Sequence, residues 1–173
     1  MNIAIGSDKS GFELKENLKT WLDDNDYEYV DLGTQDPDQA MPYYEVAPRM
    51  ADALASGRAD LGILCCGTGQ GMAIVANKHA GIRATCCESV YAAKMARAIN
   101  DANILCLGGW LVAPWLGREM TRVFLTTTFT QDLEDWRQPK LREANHRIAD
   151  YEKRIFTATE QETKDDRLAD LGL

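Results

Sequence analysis

Five short apolar runs punctuate the chain: "NIAI" at 2–5, "YEYVDL" at 27–32, "LGILCC" at 61–66, "IRATCC" at 82–87 and "NILCLG" at 103–108. Segments of helical period lie between and after them, from Phe12 to Trp21, Tyr44 to Leu54, Met72 to Asn77, Val90 to Ile99 and Val112 to Leu125. This alternation constrains the fold more than any other feature. Runs that are apolar throughout, not at every second residue, suit strands of a parallel sheet covered on both faces. The expectation is an α/β fold: a Rossmann-like, three-layer α/β/α arrangement around a five-stranded parallel sheet. In such sheets ligands sit outside the carboxyl ends of the strands, which points to the loops "GSDKSG", "CGTGQG" and "GGW". A length of 173 residues with 45% hydrophobic content supports one such layer with a real core.

Beyond Thr126 the pattern changes. Residues 131–156, "QDLEDWRQPKLREANHRIADYEKRIF", read as a charged helix whose thin apolar stripe is Leu133, Leu141, Ile148, Tyr151 and Ile155. A stripe that narrow suits packing on a neighbouring subunit, so at least a homodimer is expected. The division expected is a single domain over 1–155, ending in this C-terminal helical extension, and a polar tail over 156–173. A net charge of −8 argues against nucleic-acid or acidic-membrane partners. No targeting segment or membrane-length apolar run is visible, so a soluble cytoplasmic protein is expected. The five cysteines, Cys65, Cys66, Cys86, Cys87 and Cys106, show no CxxC spacing and an odd count. Reduced thiols are expected, with neither a disulfide framework nor a zinc site.

The stretch "CCGTGQG", residues 65–71, leaves a strand and enters a helix. Its spacing is GxGxG, which is not the dinucleotide pattern. Its position lets the N–H groups of Gly67, Gly69 and Gly71 converge on an anion, with the helix dipole behind them. Cys66 stands at that helix mouth, where a thiolate is favoured and serves as base or nucleophile; the alternative is a small hydrophobe at a strand end. Cys65 is expected to point to the opposite face. Cys86, Cys87 and Cys106 read as core.

"CGTGQGMAIVANKHAGIRA" at 66–84, "GSDKSGFELK" at 6–15 and "NDANILCLGG" at 100–109 together resemble the type B ribose-5-phosphate isomerase and galactose-6-phosphate isomerase family. The resemblance extends over about residues 1–155. It implies aldose–ketose isomerisation of a phosphorylated sugar through a cis-enediolate, with no metal and no cofactor, in a homo-oligomer, dimer or tetramer, whose sites lie between subunits. Carried over by position, Cys66 is the base, and Gly67, Gly69 and Gly71 stabilise the oxyanion. Thr68 lends its hydroxyl, Asp8 orients sugar hydroxyls and Asn100 contacts the ligand. Asp8 also reads as a helix cap.

Three positions depart from the family's pattern. Ile99 replaces a ring-opening histidine, Lys9 replaces a histidine after Asp8, and Trp110 replaces an arginine. Loss of the ring opener implies a substrate with no ring to open, so a tetrose phosphate, the erythrulose 4-phosphate and erythrose 4-phosphate pair, is the expected substrate. Alternatives are a ribose 5-phosphate or hexose 6-phosphate isomerase, a subunit of a hetero-oligomer, or a binding module without chemistry. Lys9 suits an anion. With the arginine gone, phosphate capture is expected to fall on Arg137, Lys140 and Arg142 of the C-terminal segment. His79 and His146 occupy no catalytic position.

Overall fold

Each of the five apolar runs becomes a strand in the computed structural model of the chain, which describes residues 1–162 and side chains to residue 157. The strands are β1 (Ile3–Ser7), β2 (Tyr29–Asp31), β3 (Leu61–Cys66), β4 (Ala84–Cys86) and β5 (Ile104–Gly108). They form one sheet in the order β2-β1-β3-β5-β4, and every pairing is parallel. Burial tracks position in the sheet: β1, β3 and β5 are buried at every residue, whereas the edge strands β2 and β4 are short and partly exposed.

The helices α1 (Phe12–Asp24), α2 (Tyr43–Ala55), α3 (Gln70–Ala76), α4 (Val90–Asn100) and α5 (Pro114–Thr126) cover both faces. On one face Leu14, Leu18, Ala93 and Phe124 pack on Ile3, Ile5, Ile63 and Leu105. On the other, Val46, Met50 and Met72 pack on Ala4, Leu64 and Ile104. This is the Rossmann-like three-layer arrangement that the alternation implies. Because side chains alternate across a strand, adjacent Cys65 and Cys66 fall into these two different cores. The winding reverses between β1 and β3, so the crevice favoured for ligands opens beyond Ser7 and Cys66.

The largest fully buried side chain is a lysine. Lys15, 0% exposed, projects from α1 and its Nζ lies 2.6 Å from Asp31 Oδ2 and 3.0 Å from Glu16 Oε1. It also donates to the Thr34 carbonyl. Lys19 adds a second contact to Asp31 at 3.0 Å, and the Gly33 N–H donates to the other Asp31 oxygen. Burial pushes the Asp31 carboxyl upward, but the hydrogen bonds from Lys15, Gly33 and Lys19 outweigh it and hold the carboxyl below its ordinary range. The network fixes the segment after β2 beside the end of β1, where the Thr34 N–H donates to the Ser7 carbonyl.

The chain divides into two compact units, residues 1–133 and residue 134 onward. The second unit is built on α6 (Gln138–Glu162). It starts later than the charged pattern at 131 because Thr130 and Asp132 adopt positive φ, which a helix does not accommodate. Pro139 then falls in the first helical turn, where a missing N–H costs nothing. The helix continues past 156; the rest of the expected tail, from 163, lies outside the described residues.

Candidate active site

Cys66 ends β3 and is 5% exposed. Three residues later the Gly69 N–H donates to its sulfur at 3.1 Å. That bond requires the chain to curl back before α3, and Gly69 does so with φ 79°, in the left-handed region. A Cβ at Gly69 would also lie 2.8 Å from Cys86 Sγ. Gly69 is therefore specified twice, by dihedral and by space. Its amide serves the sulfur, which narrows the expected anion hole to donors on either side of it.

Two turns flank this loop. On one side, the Asp8 N–H donates to the Cys65 carbonyl at 3.3 Å, setting Asp8 and Lys9 beside the end of β3. On the other, the Gly109 N–H donates to the Cys66 carbonyl at 2.7 Å and the Trp110 N–H to the Gly67 carbonyl at 3.0 Å. The Trp110 ring lies flat enough on Gly67 that a Cβ there would be 2.8 Å from it. Any side chain at 67 would displace the indole. Tyr43, at the start of α2, covers Gly71 from the α2 side. A cavity of about 440 Å³ opens beside the loop, lined by Lys9, Ser10, Glu13, Pro37, Gly109 and Trp110 among others.

Asp8 is not the N-cap of α1, which is Gly11, but it braces the turn that leads into the helix. Its Oδ1 accepts the Gly11 N–H at 3.0 Å, closing the turn into α1. Burial raises its carboxyl above the ordinary range, and the N–H groups of Gly11 and Ser10 only partly offset that. A raised carboxyl gains its proton sooner as the pH falls. If Asp8 accepts substrate hydroxyls as an anion, kcat/KM should decline on the acid side at a pH above the ordinary aspartate value of about 3.9. Asp8→Asn should erase that limb; an identical acid limb in the variant would remove Asp8 from the site.

Cys86 departs from the core role expected for it. Half-buried, it donates its S–H to the Thr68 carbonyl at 3.4 Å, and burial pushes its thiol up to about 11, so it remains a neutral donor bracing the loop. Burial likewise raises Cys65, Cys87 and Cys106, which suits their packing role.

The structure thus gathers Cys66, Gly67, Thr68, Gly69, Gly71, Asp8 and Lys9. It does not bring Asn100 to them. Asn100 ends α4, a helix that starts beside the carboxyl end of β4 and returns to the amino end of β5. Cys66 pairs with Gly108 at the far end of β5. Asn100 therefore lies at the opposite end of its own sheet, as does Ile99. Arg137, Lys140 and Arg142 belong to the second unit, where Arg137 and Lys140 lie against the Trp136 ring, at 5.4 and 5.0 Å from its centroid. His79 contacts the Val75 and Ala76 carbonyls at 3.3 Å, and His146 is an exposed residue of α6. Among the described residues no group of His, Cys, Asp and Glu forms a metal site. None of the described helices is long and apolar enough to cross a membrane.

The sequence pattern of a family described as Ribose/Galactose Isomerase matches residues 3–141. A protein of Clostridium sp. (strain MSTE9) named 4-deoxy-4-sulfo-D-erythrose isomerase is 54% identical over 156 residues, covering 90% of this chain and 98% of that protein. A D-erythrulose-4-phosphate isomerase of Pectobacterium atrosepticum is 38% identical, over 75% of this chain and 85% of its own. The solved structure of Clostridium thermocellum ribose-5-phosphate isomerase B superposes with a TM-score of 0.81 at 36% identity, covering 90% of this chain and 99% of that one.

Proposed function

This chain belongs to the ribose/galactose isomerase family, and we propose that it interconverts an open-chain four-carbon aldose carrying a terminal anion with its 2-ketose. The substrate favoured is 4-deoxy-4-sulfo-D-erythrose, whose product is 4-deoxy-4-sulfo-D-erythrulose. The observation that carries the chemistry is the Gly69 N–H on the Cys66 sulfur, at the mouth of the glycine loop. The four-carbon length is supported by Ile99, an apolar side chain where the family pattern has a ring-opening histidine, and by the names of two relatives. A C4 that bears a sulfonate has no hydroxyl with which to close a five-membered ring. The tetrose 4-phosphate is the second reading, since its C4 oxygen is esterified and equally unable to close; the Pectobacterium relative favours it.

In the proposed reaction the Cys66 thiolate takes the proton from C2. The C2–H electron pair forms the C1–C2 double bond, and the carbonyl electrons move onto O1. Loop amides and the Thr68 hydroxyl stabilise that oxygen, an effect worth about 3 kcal/mol per donor. The thiol then returns the proton to C1 while the O2 proton passes to O1, leaving a ketone at C2. Hydrogen lost at one carbon is gained by its neighbour, so the balanced reaction calls for no redox cofactor. Asp8 orients the hydroxyls and Lys9 attracts the anion.

Asn100 joins this site only from a second copy, because its own sheet separates it from its own Cys66. We therefore read the active form as a homo-oligomer with shared sites, and α6, with Arg137, Lys140 and Arg142, as its intersubunit element. The test is solvent deuterium incorporation at C1 or C2, followed by NMR over a panel of sulfo-erythrose, erythrose 4-phosphate, ribose 5-phosphate and glucose 6-phosphate. Exchange should be confined to the four-carbon substrates. Equal or better turnover of ribose 5-phosphate would overturn the chain-length assignment.

A further inference from the structure

Beside the glycine loop, the cavity of about 440 Å³ has walls of unequal character. Lys9 contributes an ammonium and Glu13 a carboxylate, both exposed. Trp110 contributes an indole, which has one N–H donor and no charge. The formal charges of Lys9 and Glu13 cancel. The indole is held in place: its backbone N–H bonds the Gly67 carbonyl and its ring rests on Gly67, yet the residue remains 71% exposed. It is a fixed wall with one face open, next to the loop that carries Cys66.

We propose that Trp110, together with Lys9 and Glu13, selects the terminal anion of the substrate, admitting a singly charged sulfonate in preference to a doubly charged phosphate. This rests on the reading of the loop as a sugar isomerase site. A phosphate monoester carries a charge of about −1.5 to −2 at neutral pH, with a second pKa near 6. Moving that second charge out of water requires one cation more than a sulfonate does, and where the family pattern has an arginine this wall of the cavity offers an indole, with a carboxylate beside it. A sulfonate spreads one charge over three oxygens at every pH of interest. It needs one cation fewer than the phosphate dianion, and the indole offers it only an N–H donor at the ring edge.

The experiment separates binding from chemistry by using two alditols that lack a carbonyl, 4-deoxy-4-sulfo-erythritol and erythritol 4-phosphate. Calorimetric Kd values are measured at pH 7.5 and 5.5 for the full-length protein and for Trp110→Arg and Glu13→Gln, with thermal melts verifying the fold. At pH 7.5 the sulfonate should bind tighter by about tenfold or more, the difference expected for one unpaired charge. At pH 5.5 the phosphate is mostly a monoanion, so the ratio should fall towards unity. Trp110→Arg and Glu13→Gln should each strengthen phosphate binding severalfold with a smaller effect on the sulfonate. Equal Kd values at pH 7.5, or a ratio unmoved by pH and by both variants, would overturn the proposal. Failure of the isomerase reading would look different: anion selectivity without deuterium exchange in either aldose.

Discussion

Cys66→Ser should lower kcat by about 10³-fold, within the range for loss of a positioned base, while the Kd for a non-reacting ligand stays within about threefold. Serine keeps the shape and accepts the Gly69 N–H that now meets the sulfur at 3.1 Å. Its hydroxyl is a far weaker acid than a thiol and cannot take over as the base. Solvent deuterium should no longer enter C1 or C2. A variant retaining a tenth of the wild-type rate would mean that another group moves the proton, and Cys66 would revert to a small buried residue at a strand end.

The second large effect concerns stability. Lys15→Ala should destabilise the fold by about 3 kcal/mol, the lower end for breaking a buried ion pair, because Lys19 still reaches Asp31 at 3.0 Å. The Thr34 carbonyl also loses its donor. Denaturant unfolding should show a lower midpoint at an unchanged slope. The sign of the pH dependence follows from Asp31, whose folded carboxyl is held below its ordinary range. Its contribution is fully present above the unfolded value of about 3.9 and is lost as the pH falls through the depressed folded value. Lys15→Ala should weaken that acid-side dependence. A loss under about 1 kcal/mol would show that the pair does little beyond cancelling its own desolvation.

The sheet was legible because its central strands are buried on both faces, which leaves no polar residue to break a run such as "LGILCC". The strand ends were less so. β2 and β4 pair along one edge only, and both came out shorter than the apolar pattern around them. The glycine loop was legible because a turn that tight, between a buried strand and a helix, demands small residues in a fixed order. Other parts depend on tertiary partners that no local pattern encodes. Lys15 sits on α1 among charged residues, and only the folded segment from Asp31 to Thr34 makes it a core residue. Cys86 looks like Cys87 in sequence until the Thr68 carbonyl is placed beside it. Asn100 adjoins Asp101 in a motif that resemblance links to the site, yet the path of α4 carries it to the wrong end of its own chain. The charged pattern after residue 130 did not reveal the positive φ at Thr130 and Asp132 that delays the helix to Gln138.

Trp110 also gives the molecule an optical label. Its ring touches the backbone of the residue that follows Cys66, yet most of its surface faces water. Any ligand or neighbouring chain that covers that face exchanges water for a drier contact, and indole emission moves to shorter wavelength when that happens. Trp21, Trp115 and Trp136 contribute a background that Trp110→Phe leaves in place. The difference between the two spectra therefore isolates a single ring, and occupancy of the loop can be followed in real time without modifying the substrate.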